Sequence, residues 1–188
     1  DDARVMARKN IEIFLAADYD AIVTNAAGCG SNLKEYHDLL EHDPQYAERS
    51  AQFVAKVRDI SEYLAQVGLK PPQRKIGQKV IYQDACHLAH AQKVKNPPRE
   101  LLKAIGCELV EIPHAEQCCG SAGVYNVAQT EISMKILEGK MDDISSVTAA
   151  LIATGNVGCM IQLRAGVEMR GMKMPVKHVV ELLDEAYS

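Results

Sequence analysis

The chain has 188 residues, little more than one domain's worth at ~150 residues per domain. Apolar residues make up 47% and charged residues 24%, a globular composition that excludes a disordered chain. Asp and Glu (25) outnumber Lys and Arg (21), and the net charge of −4 argues against a nucleic-acid partner. No stretch approaches the roughly 20 apolar residues of a membrane span, so we expect no transmembrane segment and no signal peptide.

The opening residues read as an amphipathic helix with Val5, Ile11, Phe14 and Leu15 near one face. There is no initiator Met, which leads us to expect that the chain begins inside a longer protein. Residues 21–25 are a short apolar run that reads as a buried strand, followed by a glycine turn, Cys29 and a polar helix through Tyr36. From Pro44 to Val67, Phe53, Val54, Val57, Ile60 and Leu64 recur at helical spacing, which predicts one long helix. Residues 68–73 break it and mark a boundary between segments 1–70 and 71–188. A strand over 79–84 then leads to Cys86. Asn96-Pro97-Pro98 opens a helix carrying Leu101, Leu102 and Ile105, and residues 107–112 alternate as a strand. A turn-rich loop holds Cys118-Cys119-Gly120-Ser121-Ala122-Gly123, a helix follows over about 130–145, and residues 150–154 are another buried strand with Cys159 just beyond. Residues 176–187 read as mostly helical. Strand–helix alternation of this kind predicts an α/β fold of mostly parallel sheets flanked by helices.

An offset of 130 positions lays residues 21–33 over 151–163 without a gap. Ile22/Ile152, Thr24/Thr154, Gly28/Gly158, Cys29/Cys159 and Leu33/Leu163 are identical. We therefore expect two pseudo-repeated units, the first incomplete.

Of six cysteines, Cys86, Cys118, Cys119 and Cys159 follow the spacing C-x31-C-C-x39-C. Each falls at a strand end or loop, where ligands bind in open α/β sheets. Neighbouring thiolates point in different directions, which suits a polynuclear iron–sulfur centre better than one tetrahedral ion. Gly120 and Gly123 would let backbone N–H groups approach the sulfurs, and helix starts after Cys86 and Cys159 would favour negative charge. Disulfides, buried inert thiols and a structural zinc site are the competing readings. Cys107 opens a strand and fits the inert reading. His87 and His90 flank the helix start after Cys86 and are candidates for a ligand, a donor to sulfide or a proton carrier, against a plain structural role. His114 is a weaker case. His37 and His42 read as solvated, and the Met residues 169, 172 and 174 as packing. No G-x-G-x-x-G or Walker pattern supports a nucleotide site.

Residues 84–92, 116–123 and 155–163 resemble the cysteine-rich CCG domain family, which includes heterodisulfide reductases and lactate-utilisation proteins. Residues 26–36 and 177–184 look most like the iron–sulfur subunits of glycolate oxidase within it. The resemblance covers essentially the whole chain. It implies that segment 1–70 is the C-terminal part of a first CCG repeat, with Cys29 its last cysteine, and that 71–188 is a complete second repeat. It implies a 4Fe–4S cluster on Cys86, Cys118, Cys119 and Cys159, with zinc as the alternative, and Cys29, Gly120, His87 and His90 as candidate additional ligands or neighbours. It implies electron transfer without binding of the hydroxy acid. The partners would be a flavoprotein subunit and a quinone or other membrane acceptor, and the location cytoplasmic or peripheral at the inner face of the cell membrane. The alternatives are a zinc-stabilised docking module and a thiol–disulfide reductase of the heterodisulfide reductase type. One departure matters: the fuller family motif ends in C-x-x-C, but Gln162 and Asn32 stand where the second thiolate would be.

Overall fold

The computed structural model describes residues 2–188. An N-terminal unit begins with α1 (Asp2–Leu15), β1 (Ile22–Thr24), α2 (Ala27–Lys34), α3 (Tyr36–Leu40) and α4 (Ala47–Lys56), and ends with β2 (Val57–Asp59) and α5 (Ile60–Val67). Its two strands pair in parallel over a small core of Ala7, Ile11, Ile22, Tyr36, Leu40, Phe53 and Val57. The rings of Tyr36 and Phe53 stack at 5.4 Å between centroids. On α1 the buried positions are Ala7 and Ile11, one helical turn apart, while Val5 is exposed, so the apolar face is narrower than its sequence pattern predicts.

The long helix expected over 44–67 is two helices interrupted by β2. The reason is local. Val57 to Asp59 pair with Ile22 to Thr24, and the Asp59 carboxylate accepts the N–H of Ser61 at 2.8 Å to cap α5. The Glu62 side chain accepts the Asp59 N–H in return, completing a capping box.

The C-terminal unit contains β3 (Lys79–Gln83), a π-type turn (His87–Ala91), α6 (Asn96–Ala104), β4 (Glu108–Val110), α7 (Tyr125–Ala128) and α8 (Thr130–Ser145). It continues with β5 (Leu151–Thr154), α9 (Val157–Met169), β6 (Val176–His178) and α10 (Val179–Tyr187). Its four strands form a wholly parallel sheet in the order β4-β3-β5-β6, flanked by helices on both faces as expected of an α/β fold. Side chains alternate across the central strands. Ile81 and Ile152 pack on one face with Leu137, Met141, Ile144 and Leu163 from α8 and α9. Val80, Tyr82, Leu151 and Ala153 pack on the other with Leu101, Leu102, Leu182 and Leu183 from α6 and α10. The segment 176–187 is β6 plus α10, the strand being too short for alternation to announce it.

The two units share one local geometry. β1 pairs with β2 and β5 with β6 in the same register, Thr24 opposite Asp59 and Thr154 opposite His178. Both second strands end in a capping box, the second formed by His178 Nδ1 and Glu181. They differ on the other side: β5 also pairs with β3, whereas β1 has no second strand neighbour among the described residues. The units touch where α5 packs on α6 and α2 on the π-type turn.

Candidate cysteine site

The carboxyl ends of β3 and β5, the loop after β4 and the start of α2 converge on one cavity of about 500 Å³. Cys29, Cys86, Cys118, Cys119 and Cys159 all line it, with His87 beside them. Cys86 follows β3, Cys118 and Cys119 sit in the loop between β4 and α7, and Cys159 lies in the first turn of α9. The thiols form a chain of contacts: Cys86 meets Cys118, Cys118 meets Cys119, and Cys119 meets Cys159. Four sulfurs separated by up to 73 positions in sequence are thus gathered by the topology of one sheet.

Charge is shared unequally along this chain. The Cys118 thiol is held far below its ordinary pKa by hydrogen bonds from Cys119 and Cys86, helped by the backbone N–H groups of Gly120 and Ala122. Cys159 is lowered by Cys119 and by Asn156. Cys86 is raised by the hydrogen bond it donates to Cys118 and then by partial burial; Cys119 is raised by its hydrogen bonds to Cys118 and Cys159 and then by burial. The backbone around Cys118 is shaped for this. Gly120 N donates to Cys118 Sγ at 3.3 Å. Gly120 has φ +93°, and a Cβ there would meet Ser133 O at 2.4 Å, so only glycine fits. Ala122 (φ 39°) and Gly123 (φ 63°) are also left-handed. A loop that turns successive N–H groups inward makes a nest for negative charge.

Carboxamides brace the cavity. Gln83 Nε2 donates to Asp84 O at 2.9 Å and Gln117 O at 3.1 Å, which ties the Cys86 loop to the Cys118 loop. Gln92 Nε2 donates to Ala27 O at 2.8 Å and anchors the helix that carries Cys29. Gln162 is buried and donates to Ser133 Oγ at 3.1 Å, and Ser133 Oγ donates to Gly120 O, so the residue at the departed thiolate position props the cysteine loop. Asn156 bonds Cys159 Sγ at 3.5 Å. Asp84, two residues before Cys86, is buried in a bidentate pair with Arg99 at 2.7 Å. Lys140 is buried on α8 with Nζ on His114 O at 2.5 Å, and burial pushes its pKa down. Among these residues the sequence points only to Gln162, and to that one as a missing thiolate, not as a prop. Asn156 carries one further signal, an Asn directly before an apolar helix.

Of the other candidates, His87 Nδ1 stands 3.6 Å from Cys86 Sγ. His90 is exposed, lies outside the cavity lining and bonds Glu116 O at 3.2 Å. His114 faces Asp143 at 3.4 Å, and His37 bonds Ser50 Oγ at 3.1 Å. Cys107 is buried in the core on the far side of the sheet, where burial alone raises its thiol to about 11. Cys29 is exposed. Apart from His87, the lining has no Lys, Arg, Asp or Glu. Val157 and Ile161 (63% exposed) line its mouth, and Val124 (82%) and Val127 (80%) follow the lining residues Gly123 and Asn126 in the chain. Among the described residues, no group of three or more His, Cys, Asp or Glu is arranged to hold a single metal ion.

Residues 1–34 and 80–164, which carry this cavity, match the cysteine-rich domain known as CCG. The chain belongs to the CCG family. Relatives of this CCG chain include a probable glycolate oxidase iron-sulfur subunit of Bacillus subtilis (strain 168), 44% identical over 96% of the chain and 42% of the relative. The glycolate oxidase iron-sulfur subunit of Escherichia coli (strain K12) is 30% identical over 96% and 44%. Lactate utilization protein A of Halalkalibacterium halodurans is 28% identical over 97% and 75%. The chain thus spans less than half the length of the two glycolate oxidase relatives.

Proposed function

We propose that this CCG chain is the cysteine-rich part of an iron–sulfur electron-transfer subunit in a flavin-dependent 2-hydroxy-acid oxidase, with glycolate as the expected acid. The observation that carries the reading is the convergence of four thiols, distant in sequence, in one cavity whose backbone N–H groups face sulfur. That donor set fits an iron–sulfur cluster, which is held mainly by cysteine thiolates and tuned by hydrogen bonds to sulfur. Cys86, Cys118, Cys119 and Cys159 would hold it, a 4Fe–4S centre matching the four thiolates. When bound, the cluster supplies one-electron transfer.

The chain's own residues divide the remaining work. The 120–123 loop stabilises negative charge on Cys118. The Asp84–Arg99 pair and Gln83 fix the loops that carry Cys86 and Cys118. The cavity lining lacks a Lys or Arg to hold a carboxylate, which supports a subunit that does not bind the hydroxy acid. Its lining without Lys, Arg, Asp or Glu, with exposed Val157 and Ile161, suits close approach of a flavoprotein partner. A membrane acceptor such as a quinone would take the electrons at the inner face of the membrane. Among the described residues no helix is long and apolar enough to cross a membrane. Zinc has less support, because the C-x2-C pairs usual in structural zinc sites are missing from the spacing of these cysteines. The matched strand pairs support reading 1–70 as the end of a first CCG repeat and 71–188 as a whole second one.

The test is anaerobic mixing of the full-length complex with glycolate or lactate while following cluster absorbance. Bleaching that Cys119→Ser abolishes supports the reading. Turnover with wild-type rate in Cys119→Ser contradicts it.

A further inference from the structure

Asn156 is the residue just before α9, and its side chain makes two bonds in opposite directions. Its Oδ1 accepts the backbone N–H of Gly28 at 3.3 Å, and its Nδ2 donates to Cys159 Sγ at 3.5 Å. The orientation is dictated by chemistry. A backbone N–H can only donate, so the carboxamide oxygen must face Gly28 and the NH₂ must face the sulfur. Gly28 immediately precedes Cys29 in the N-terminal unit, whereas Cys159 belongs to the C-terminal one. One amide therefore spans the two units at the cavity wall. Space has been left for it: a Cβ on Gly158 would stand 3.3 Å from Asn156 Nδ2 and 2.9 Å from Ser121 Oγ.

We infer that Asn156 is a positioning residue that sets the redox potential of the cysteine site through its bond to Cys159 and makes that bond depend on docking of α2. This rests on the iron–sulfur reading. An N–H donor stabilises sulfur most when the centre carries its extra electron, so the bond raises the potential. Gly28 holds the carboxamide in the rotamer that delivers the donor.

The test uses Asn156→Asp and Asn156→Ala in the full-length protein, loaded anaerobically and titrated with electron paramagnetic resonance detection. Iron and sulfide are measured on the same samples. A carboxylate at 156 still accepts from Gly28 but offers sulfur no proton; alanine removes both bonds. Both variants should retain iron and sulfide and titrate at a more negative potential. The expected shift is about tenfold in the reduction equilibrium, or ~59 mV for one electron. Unchanged potentials in both overturn the inference, as does a shift confined to alanine, which would assign the effect to the tether alone. Loss of iron from both variants overturns it in favour of an assembly role. Wild-type protein that takes up no iron overturns the underlying reading instead.

Discussion

β1–α2 and β5–α9 are the same device in different settings. Both are a short parallel strand, a two-residue turn and a helix whose first turn carries a Gly-Cys pair, Gly28-Cys29 or Gly158-Cys159. β5 is enclosed by β3 and β6, every residue of it is buried, and its cysteine meets other thiols. Among the described residues β1 pairs only with β2, Val23 on it is exposed, and Cys29 is exposed as well. The difference teaches that the strand–turn–helix unit supplies one thiol and a polarised helix start. The site itself comes from the neighbouring strand β3 and the loop after β4, which bring Cys86, Cys118 and Cys119.

The sharpest way to break this comparison is to remove one thiol from each setting. Cys119→Ser should abolish most iron binding, while Cys29→Ser and Cys107→Ser should keep it, measured as iron per chain after anaerobic loading. Equal loss in Cys29→Ser would mean that the two settings act as one site. Next in size is the ion pair beneath Cys86. Arg99→Met leaves the buried Asp84 carboxylate unpaired and should cost about 3–5 kcal/mol in urea unfolding of the iron-free protein. The matched isoleucines sharpen the comparison further. Ile152→Ala, in the core of the four-stranded sheet, should cost ~2–5 kcal/mol, and Ile22→Ala on the thinner pair should fall at or below the low end of that range.

The smallest effect concerns the cap of α5. Burial raises the pKa of Asp59 above 3.8, with its bond to Ser61 N opposing the shift. A carboxyl raised on folding is protonated more readily in the folded chain, so its contribution to stability is present at low pH. That contribution is lost as pH rises from the unfolded value through the folded one. Asp59→Asn keeps an acceptor for Ser61 and should be no less stable at pH 7, with a flatter stability profile between pH 4 and 7 by about 1 kcal/mol or less. A profile unchanged by the substitution would assign that slope to other groups.

Much of this arrangement is legible in the residues. Parallel α/β order follows from apolar runs alternating with helical periods, and the four thiols stand out because each follows a strand or a turn-rich loop. β2 is hidden because Val57 continues the helical spacing of Phe53 and Ile60; only the partner strand reveals it. The same holds for β6, three residues long. The bracing roles of Asn156, Gln83, Gln92 and Gln162 escape notice because a carboxamide in sequence announces neither its partner nor its orientation. His90 shares a helical face with Cys86 by spacing, yet the chain makes a π-type turn there and the ring goes to Glu116 O.

What the gathered thiols hold decides the function. Anaerobically purified full-length protein should contain iron and acid-labile sulfide in equal amounts, with a visible absorbance that disappears in Cys119→Ser. Stoichiometric zinc without sulfide, or thiols that stay free and metal-free under the same conditions, would contradict it.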